Sequence, residues 1–291
     1  MTAQKNQFIG CDKAYDEADT VLFGAPYDST TSFRPGTRFG PAAMRMESFG
    51  IETYSMQCDK DLVDDAKVFD SGDIELPFGA PEPALGLIEE RAARILADGK
   101  RPFLLGGEHL VTLGAFRAVL KKHPDVVIIH FDAHADLRED YLGNPLSHAC
   151  VLRRIHDLVG DNRIYQFGIR SGTREERQFM LDGHVTTELF ADTTLTSVVE
   201  RLKSLKSVPV YLTVDMDVLD PSEFPGTGTQ EAGGFNYRQL VADVQLVCRH
   251  LNVVAMDNVE LNPGLDPTGR STALACKFLR ECLLSFERKV K

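Results

Sequence analysis

Short β-rich runs alternate with longer amphipathic patterns along the whole chain, and that alternation leaves few architectures open. The runs are TVLFGAP (20–26), AKVFDSG (66–72), RPFLLGG (101–107), DVVIIHFDAH (125–134), RIYQFGIR (163–170), VPVYLTVDMD (208–217) and VVAMDNVE (253–260). Between them PALGLIEERAARILADG, EHLVTLGAFRAVLKK, HACVLRRIHDLVG, FNYRQLVADVQLVCRHL and RSTALACKFLRECLLSF carry apolar residues at helical spacing. Gly and Pro punctuate most junctions. Strands that alternate with helices predict a largely parallel sheet covered on both faces, with ligands bound beyond the carboxyl ends of its strands. No break in composition divides the 291 residues, so a single domain over residues 1–291 is the simplest expectation.

The unusual polar residues fall at those strand ends. His109 follows FLLGGE, Asp132, His134 and Asp136 close VVIIHF, Asp215 and Asp217 close VYLTV, and Glu260 closes VVAMDNV. In IIHFDAHADL (128–137) three polar groups recur at period two, so they emerge on one face roughly 6–7 Å apart. Burying ionised carboxylates without compensation is very unfavourable. Asp215 and Asp217 would likewise repel unless a cation lies between them.

Each feature alone has a plainer reading. The two glycines before His109 suit a phosphate-cradling turn or a helix start, Asp132 could be a capping residue beside a core histidine, and Asp215–Asp217 a cap and a turn before Pro221. His148 could simply begin a helix, and Glu260 could end a strand at the surface. Together, however, the first three segments supply four carboxylates and two imidazoles. One ion has no use for six such groups, whereas two ions sharing bridging carboxylates would use them all. The set is oxygen-rich and free of thiolate, which favours Mn²⁺ over structural zinc. A dinuclear site would also acidify a bridging water.

Composition narrows the partners. A formal net charge of −11 argues against a nucleic-acid groove or an anionic membrane surface, and favours cationic ligands. The cluster RLKSLK (201–206) reads as a solvated helix face. The six cysteines form no CxxC and read as reduced thiols, which predicts a cytoplasmic protein. The start, MTAQKNQFIG, has no apolar core of a signal peptide, and no stretch approaches 18 uninterrupted apolar residues, so neither a signal peptide nor a membrane span is expected.

LGGEHLVT, IIHFDAHADL and TVDMDVLDPSEFPGTGTQEAGG resemble the three signatures of the ureohydrolase family, which contains arginase, agmatinase and related guanidino hydrolases. The likeness runs from GAPYDSTTSFRPGTRFGP (24–41) to DNVELNPGLDPTG (257–269). It implies a three-layer α/β/α sandwich around an eight-stranded, mostly parallel sheet, with two Mn²⁺ ions per chain. One ion would be held by His109, Asp132, Asp136 and Asp215, the other by Asp132, His134, Asp215 and Asp217. His148 in PLSHA matches a proton shuttle and Glu260 a guanidinium-binding glutamate. Thr229 and Glu231 lie in the loop beside it, and Asn144 is a further expected substrate contact. Gln230 departs from the family, where many members have Pro. The implied reaction is attack on a guanidino carbon by a metal-bridging hydroxide, with Asp136 relaying a proton and His148 protonating the departing amine. Relatives of this kind are commonly trimers or hexamers, so a homo-oligomer is implied as well.

The substrate is expected to be agmatine, giving putrescine and urea. RPGTRFGP (34–41) is similar to agmatinases and their nearest relatives, and LREDYLGNPLS (137–147) is expected to bring Glu139 and Asp140 to the mouth of the site, where they suit a cationic tail. Arg138 could pair with either acid or face a substrate anion. A guanidinobutyrase or guanidinopropionase is the alternative within the same chemistry. From other classes, a zinc deacetylase-like hydrolase would need only one ion, and a non-catalytic metal-binding regulatory homologue would turn over nothing.

Overall fold

The computed structural model describes residues 7–189, 195–204 and 207–287. The first six residues of MTAQKNQFIG and the last two of RLKSLK therefore lie outside the described residues. In chain order the strands are β1 (Thr20–Ala25), the short β2 (Tyr54–Ser55) and β3 (Lys60–Asp61), β4 (Val68–Asp73), β5 (Arg101–Gly106), β6 (Val127–Phe131), β7 (Ile164–Ile169), β8 (Thr186–Leu189), β9 (Pro209–Asp215) and β10 (Asn252–Val259). The α-helices are α1 (Gly40–Glu47), α2 (Leu62–Asp65), α3 (Pro81–Ala97), α4 (Val111–Lys122), α5 (Val151–Val159), α6 (Arg174–Leu181), α7 (Leu195–Ser204), α8 (Tyr237–His250) and α9 (Arg270–Phe286).

Eight strands form one sheet in the order β4-β1-β5-β10-β9-β6-β7-β8, and every neighbouring pair is parallel. β2 and β3 pair antiparallel as a separate ribbon. The eight-stranded parallel expectation holds, and all seven β-rich runs become strands of this sheet. The eighth strand, β8, escapes the pattern because its four residues, TTEL, are all half-buried and form no apolar run.

Side-chain alternation splits the core into two layers. Val127, Ile129 and Phe131 of β6 pack with Met44 of α1, Val198 of α7, Leu240 of α8 and Leu279 of α9. Ile128 points the other way, to Leu85 of α3, Phe116 of α4, Ile155 of α5 and Met180 of α6. A two-sided apolar sheet is what near-continuous strand sequences such as VVIIHF require. No described helix is long and apolar enough to cross a membrane.

Two features shape the sheet's carboxyl edge. After β5 the chain passes so close to its neighbour that a Cβ on Gly107 would sit 1.9 Å from the Tyr27 carbonyl oxygen, so no side chain fits there. The loop after β1 is closed on itself by Asp28, which accepts from the Gly36 amide at 2.7 Å and pairs with Arg38. The RPGTRFGP motif thus serves a compact loop laid over the sheet edge.

Candidate active site

At the carboxyl ends of β5, β6 and β9 the three signature segments meet. The His109 Nδ1 atom lies 3.0 Å from Asp132 Oδ2, 3.3 Å from Asp136 Oδ2 and 3.2 Å from Asp215 Oδ2. Beside this group, His134 Nδ1 lies 2.9 Å from Asp217 Oδ2 and 3.5 Å from Asp132 Oδ1. Asp132 therefore turns one oxygen toward each imidazole. The six expected ligands lie around two neighbouring centres, His109 with Asp132, Asp136 and Asp215, and His134 with Asp132 and Asp217.

Hydrogen bonding shows what this donor set wants. Thr213 Oγ1 donates to Asp257 Oδ1 at 2.6 Å, so it accepts from His109 Nε2 at 3.0 Å. A His109 proton is thereby held on Nε2, leaving Nδ1 as the atom aimed at the acids. That atom is buried and faces three carboxylate oxygens without a well-formed hydrogen bond; burial opposes a charge on the ring, but the three carboxylates outweigh it and raise the imidazole well above its ordinary value. Such a cage is repulsive by itself and becomes favourable around a cation. The carboxyls report the same strain: burial, then the Asp132 charge, pushes Asp136 up to about 7. Burial, then Asp217 and Asp132, raises Asp215 well above the carboxylate range. The donor set present suits divalent metal.

Beneath the ligands runs a row of polar side chains that the sequence reading did not single out. Asp257, Thr213, His130, Gln166 and Thr187 are successive cross-strand partners on β10, β9, β6, β7 and β8. Thr187 Oγ1 donates to Gln166 Oε1 at 3.0 Å, and Gln166 Nε2 meets His130 Nδ1 at 3.1 Å. His130 Nε2 then donates to Asp132 Oδ2 at 2.8 Å. Tyr211 donates to the far oxygen of Asp257 at 2.7 Å. One end of the row orients His109 and the middle orients Asp132. The available signal was a histidine inside the apolar run VVIIHF, and a Thr two residues before Asp215.

Glu260 and His148 complete the wall. Asp136 and Glu260 both adopt left-handed backbone angles, with φ of 53° and 67°. For residues other than Gly this costs of order 1–3 kcal/mol each and clusters at functional positions. Glu260 Oε1 accepts from the His109 amide at 2.8 Å and lies 3.7 Å from His148 Nδ1. His148 Nε2 accepts from the Ser32 amide at 3.2 Å, and the His148 amide donates to Thr30 Oγ1 at 3.0 Å. Buried Glu108, also missed in the sequence, anchors that loop by accepting from the Thr30 amide at 2.9 Å and from its hydroxyl at 2.5 Å. Burial, then the neighbouring His134 and His109, lowers His148 to about 4, so its ring is neutral at pH 7.

These side chains open into a cleft of about 430 Å³, lined among others by His134, Asp136, His148, Thr229, Glu231 and Glu260. Gln230 folds its amide back onto the Pro225 carbonyl, which fixes the loop where many family members have Pro. Arg170 donates to the Glu231 and Asp217 carbonyl oxygens, at 2.9 and 2.8 Å, and ties this loop to β9. Glu139 and Asp140, expected at the mouth, and Asn144, expected to touch substrate, are placed elsewhere. Glu139 turns to Arg153 at 2.6 Å and Arg154 at 3.4 Å. Asp140 accepts from the Gly143 amide and Asn144 Oδ1 from the Leu146 amide, closing a turn. None of the three lines the cleft. Arg138 and Arg34 do, with Arg138 set 3.7 Å from Glu176.

The sequence profile of the arginase family matches residues 18–285. An agmatinase of Bacillus subtilis (strain 168) is 46% identical over 280 residues, which cover 96% of each chain. A crystal structure from Clostridium difficile, 46% identical, superposes with a TM-score of 0.90 over 96% of this chain and 100% of its own. The agmatine ureohydrolase of Thermoplasma volcanium is 34% identical, with a TM-score of 0.86 over 97% of this chain and 94% of its own.

Proposed function

The chain belongs to the arginase family, and from that membership we propose that it hydrolyses agmatine to putrescine and urea, using two divalent cations, preferably Mn²⁺. The observation that carries the chemistry is the buried His109 Nδ1 atom set among three carboxylate oxygens. His109, Asp132, Asp136 and Asp215 would hold one ion, and His134, Asp132, Asp217 and Asp215 the other. Such a pair supplies charge that offsets the buried acids and acidifies a shared water near neutral pH. Residues 1–291 are read as one domain, because ligands drawn from positions 109 to 217 converge on one sheet edge with Glu260.

The protein's own groups do the rest. Glu260, anchored through Oε1 by the His109 amide, presents its carboxylate to the guanidinium. Asp136 accepts the proton released on attack. Asp136 passes that proton to the departing amine nitrogen, and His148, neutral at rest, takes up a proton from solvent and supplies the second one, so that the product leaves as an ammonium. Thr229 and Glu231 line the cleft beyond them. Glu231 is 41% exposed at its side chain, with Oε1 3.9 Å from His134 Nε2, and is the carboxylate suited to agmatine's distal ammonium.

A second reading has its own observation. Arg34 and Arg138 line the cleft and would suit a carboxylate tail, as in 4-guanidinobutyrate or 3-guanidinopropionate. Urea release from agmatine, arginine and both guanidino acids, with Mn²⁺ present, decides between them. We expect kcat/KM for agmatine to exceed that for arginine by at least ~100-fold, equivalent to ~2.7 kcal/mol of transition-state binding. Faster turnover of a guanidino acid would replace agmatine as substrate, and no urea from any of the four would overturn the proposal.

A further inference from the structure

A second cluster of metal-binding side chains lies at the opposite edge of the sheet. His156 sits in the last turn of α5, Asp161 in the turn before β7, and His184 just before β8, so all three lie toward the amino ends of the strands. The Asp161 Oδ1 atom is 2.8 Å from His156 Nε2 and 2.9 Å from His184 Nδ1. One carboxylate oxygen thus takes both imidazole nitrogens, and the three candidate donor atoms lie within 4.8 Å of one another. Both rings are held in place. Phe179 of α6 stacks on His184 at 4.3 Å and meets His156 edge-on at 4.8 Å, while Arg153 covers the Phe179 ring at 4.6 Å.

We propose that His156, Asp161 and His184 form a divalent-metal site separate from the catalytic cluster, selective for zinc-like ions. Two imidazoles and one carboxylate, with an open position for water, suit Zn²⁺ and neighbouring borderline ions, whereas the oxygen-rich catalytic set suits Mn²⁺. Donor atoms around a tetrahedral zinc stand ~3.4 Å apart, so Asp161 Oδ1 would move ~0.5 Å away from each imidazole nitrogen, and the two nitrogens, within 4.8 Å of each other, would adjust to the same spacing. The side chain of Asp161 is 53% exposed and that of His184 37%, which leaves room for that adjustment and for solvent entry. A bound ion would tie the end of α5 to the segment leading into the edge strand β8.

The test uses full-length protein loaded with Mn²⁺ and freed of excess metal, then titrated with Zn²⁺ against a chromophoric chelator. Both metals are counted per chain by elemental analysis. The expected result is one zinc bound without loss of manganese, with a zinc-edge absorption spectrum showing two imidazole ligands. The double variant His156→Gln/His184→Gln should lose that zinc while keeping the wild-type rate of urea release. Asp161→Asn, a milder change, should weaken zinc binding at least ~10-fold if the carboxylate is a ligand. Zinc taken up only by displacing manganese, or taken up equally by wild type and double variant, would overturn the proposal. Should the double variant misfold, the wild-type count and spectrum still decide.

Discussion

At the scale of single residues, the site is a problem in orientation. A histidine offers either nitrogen, and a carboxylate offers two oxygens, so the ligand types alone do not say which atoms face the ions. The polar row makes that choice: Thr213 and Asp257 hold the His109 proton on Nε2, and Gln166 leaves His130 with its Nε2 proton for Asp132. Partners of this kind typically contribute 10–100-fold in metal affinity. His130→Ala should therefore weaken Mn²⁺ binding by ~10–100-fold. Gln166→Leu, which leaves no cavity, should weaken it less but in the same direction. Mn²⁺ titration followed by electron paramagnetic resonance reads both, and unchanged affinity in the two variants would reduce the row to packing. His148 should behave differently, since it touches the cleft and none of the six ligands holds it. His148→Ala is expected to lower kcat by ~10²–10⁴-fold with both ions retained, and loss of metal instead would make it a structural residue. The clustering of the six candidate ligands was legible because they interrupt apolar runs at regular spacing. The row was not, since Thr213, Gln166 and Asp257 resemble ordinary strand residues until their register across the sheet is known.

At the scale of elements, legibility followed burial. Strands covered on both faces, such as β5 and β9, announce themselves as apolar runs, whereas β8 at the sheet's edge does not. Helix α6 was also passed over, although the Thr173–Glu176 capping box marks its start. The mouth of the cleft illustrates the same limit. Sequence places Glu139 and Asp140 near the site, but only the turn from Tyr141 to Asn144 and the arginines of α5 show where their side chains go. The edge also carries a measurable liability. Asp243 of α8 and Glu188 of β8 line a small cavity with Phe131, Phe167 and Phe235, and burial, then the Glu188 charge, pushes Asp243 up to about 6. A carboxyl whose folded value lies above its unfolded value of 3.8 holds extra protons when folded. Stability therefore falls as pH rises from that value to about 6, and stays lower above it. Undiminished, the effect would be ~3 kcal/mol, but for a half-buried group exposed to solvent screening we take about 1–2 kcal/mol. Asp243→Asn should accordingly raise Tm by ~2–3 °C at pH 8 and leave it unchanged at pH 4. An equal shift at both pH values would assign the gain to packing rather than charge.

At the scale of the whole molecule, the strand order brings His109, Asp132 and Asp215 together from the ends of β5, β6 and β9, although His109 and Asp215 are more than a hundred residues apart in sequence. The chain then buries four ligand aspartates at one sheet edge in a protein whose formal charge is already −11. Without cations that edge is held together against its own repulsion, so metal binding and folding stability should be strongly linked. Each tenfold excess of free ion over its dissociation constant adds ~1.4 kcal/mol per site to the folded state. For 291 residues the unfolding entropy is ~0.6 kcal/mol/K, so each tenfold step should raise Tm by ~2 °C per bound ion. Two coupled sites therefore predict ~4–5 °C per decade of Mn²⁺ once both are filled, and a single site about half of that. Thermal melts over a chelator-buffered Mn²⁺ series read this slope directly, and independently of turnover. Asp132→Asn, which weakens the carboxylate facing both imidazoles, should flatten it. A slope near 2 °C per decade in the unmodified protein would mean one ion and favour chemistry of the single-metal kind. A Tm indifferent to Mn²⁺ would show that the cage around His109 is stable without a cation, and the dinuclear reading would fail.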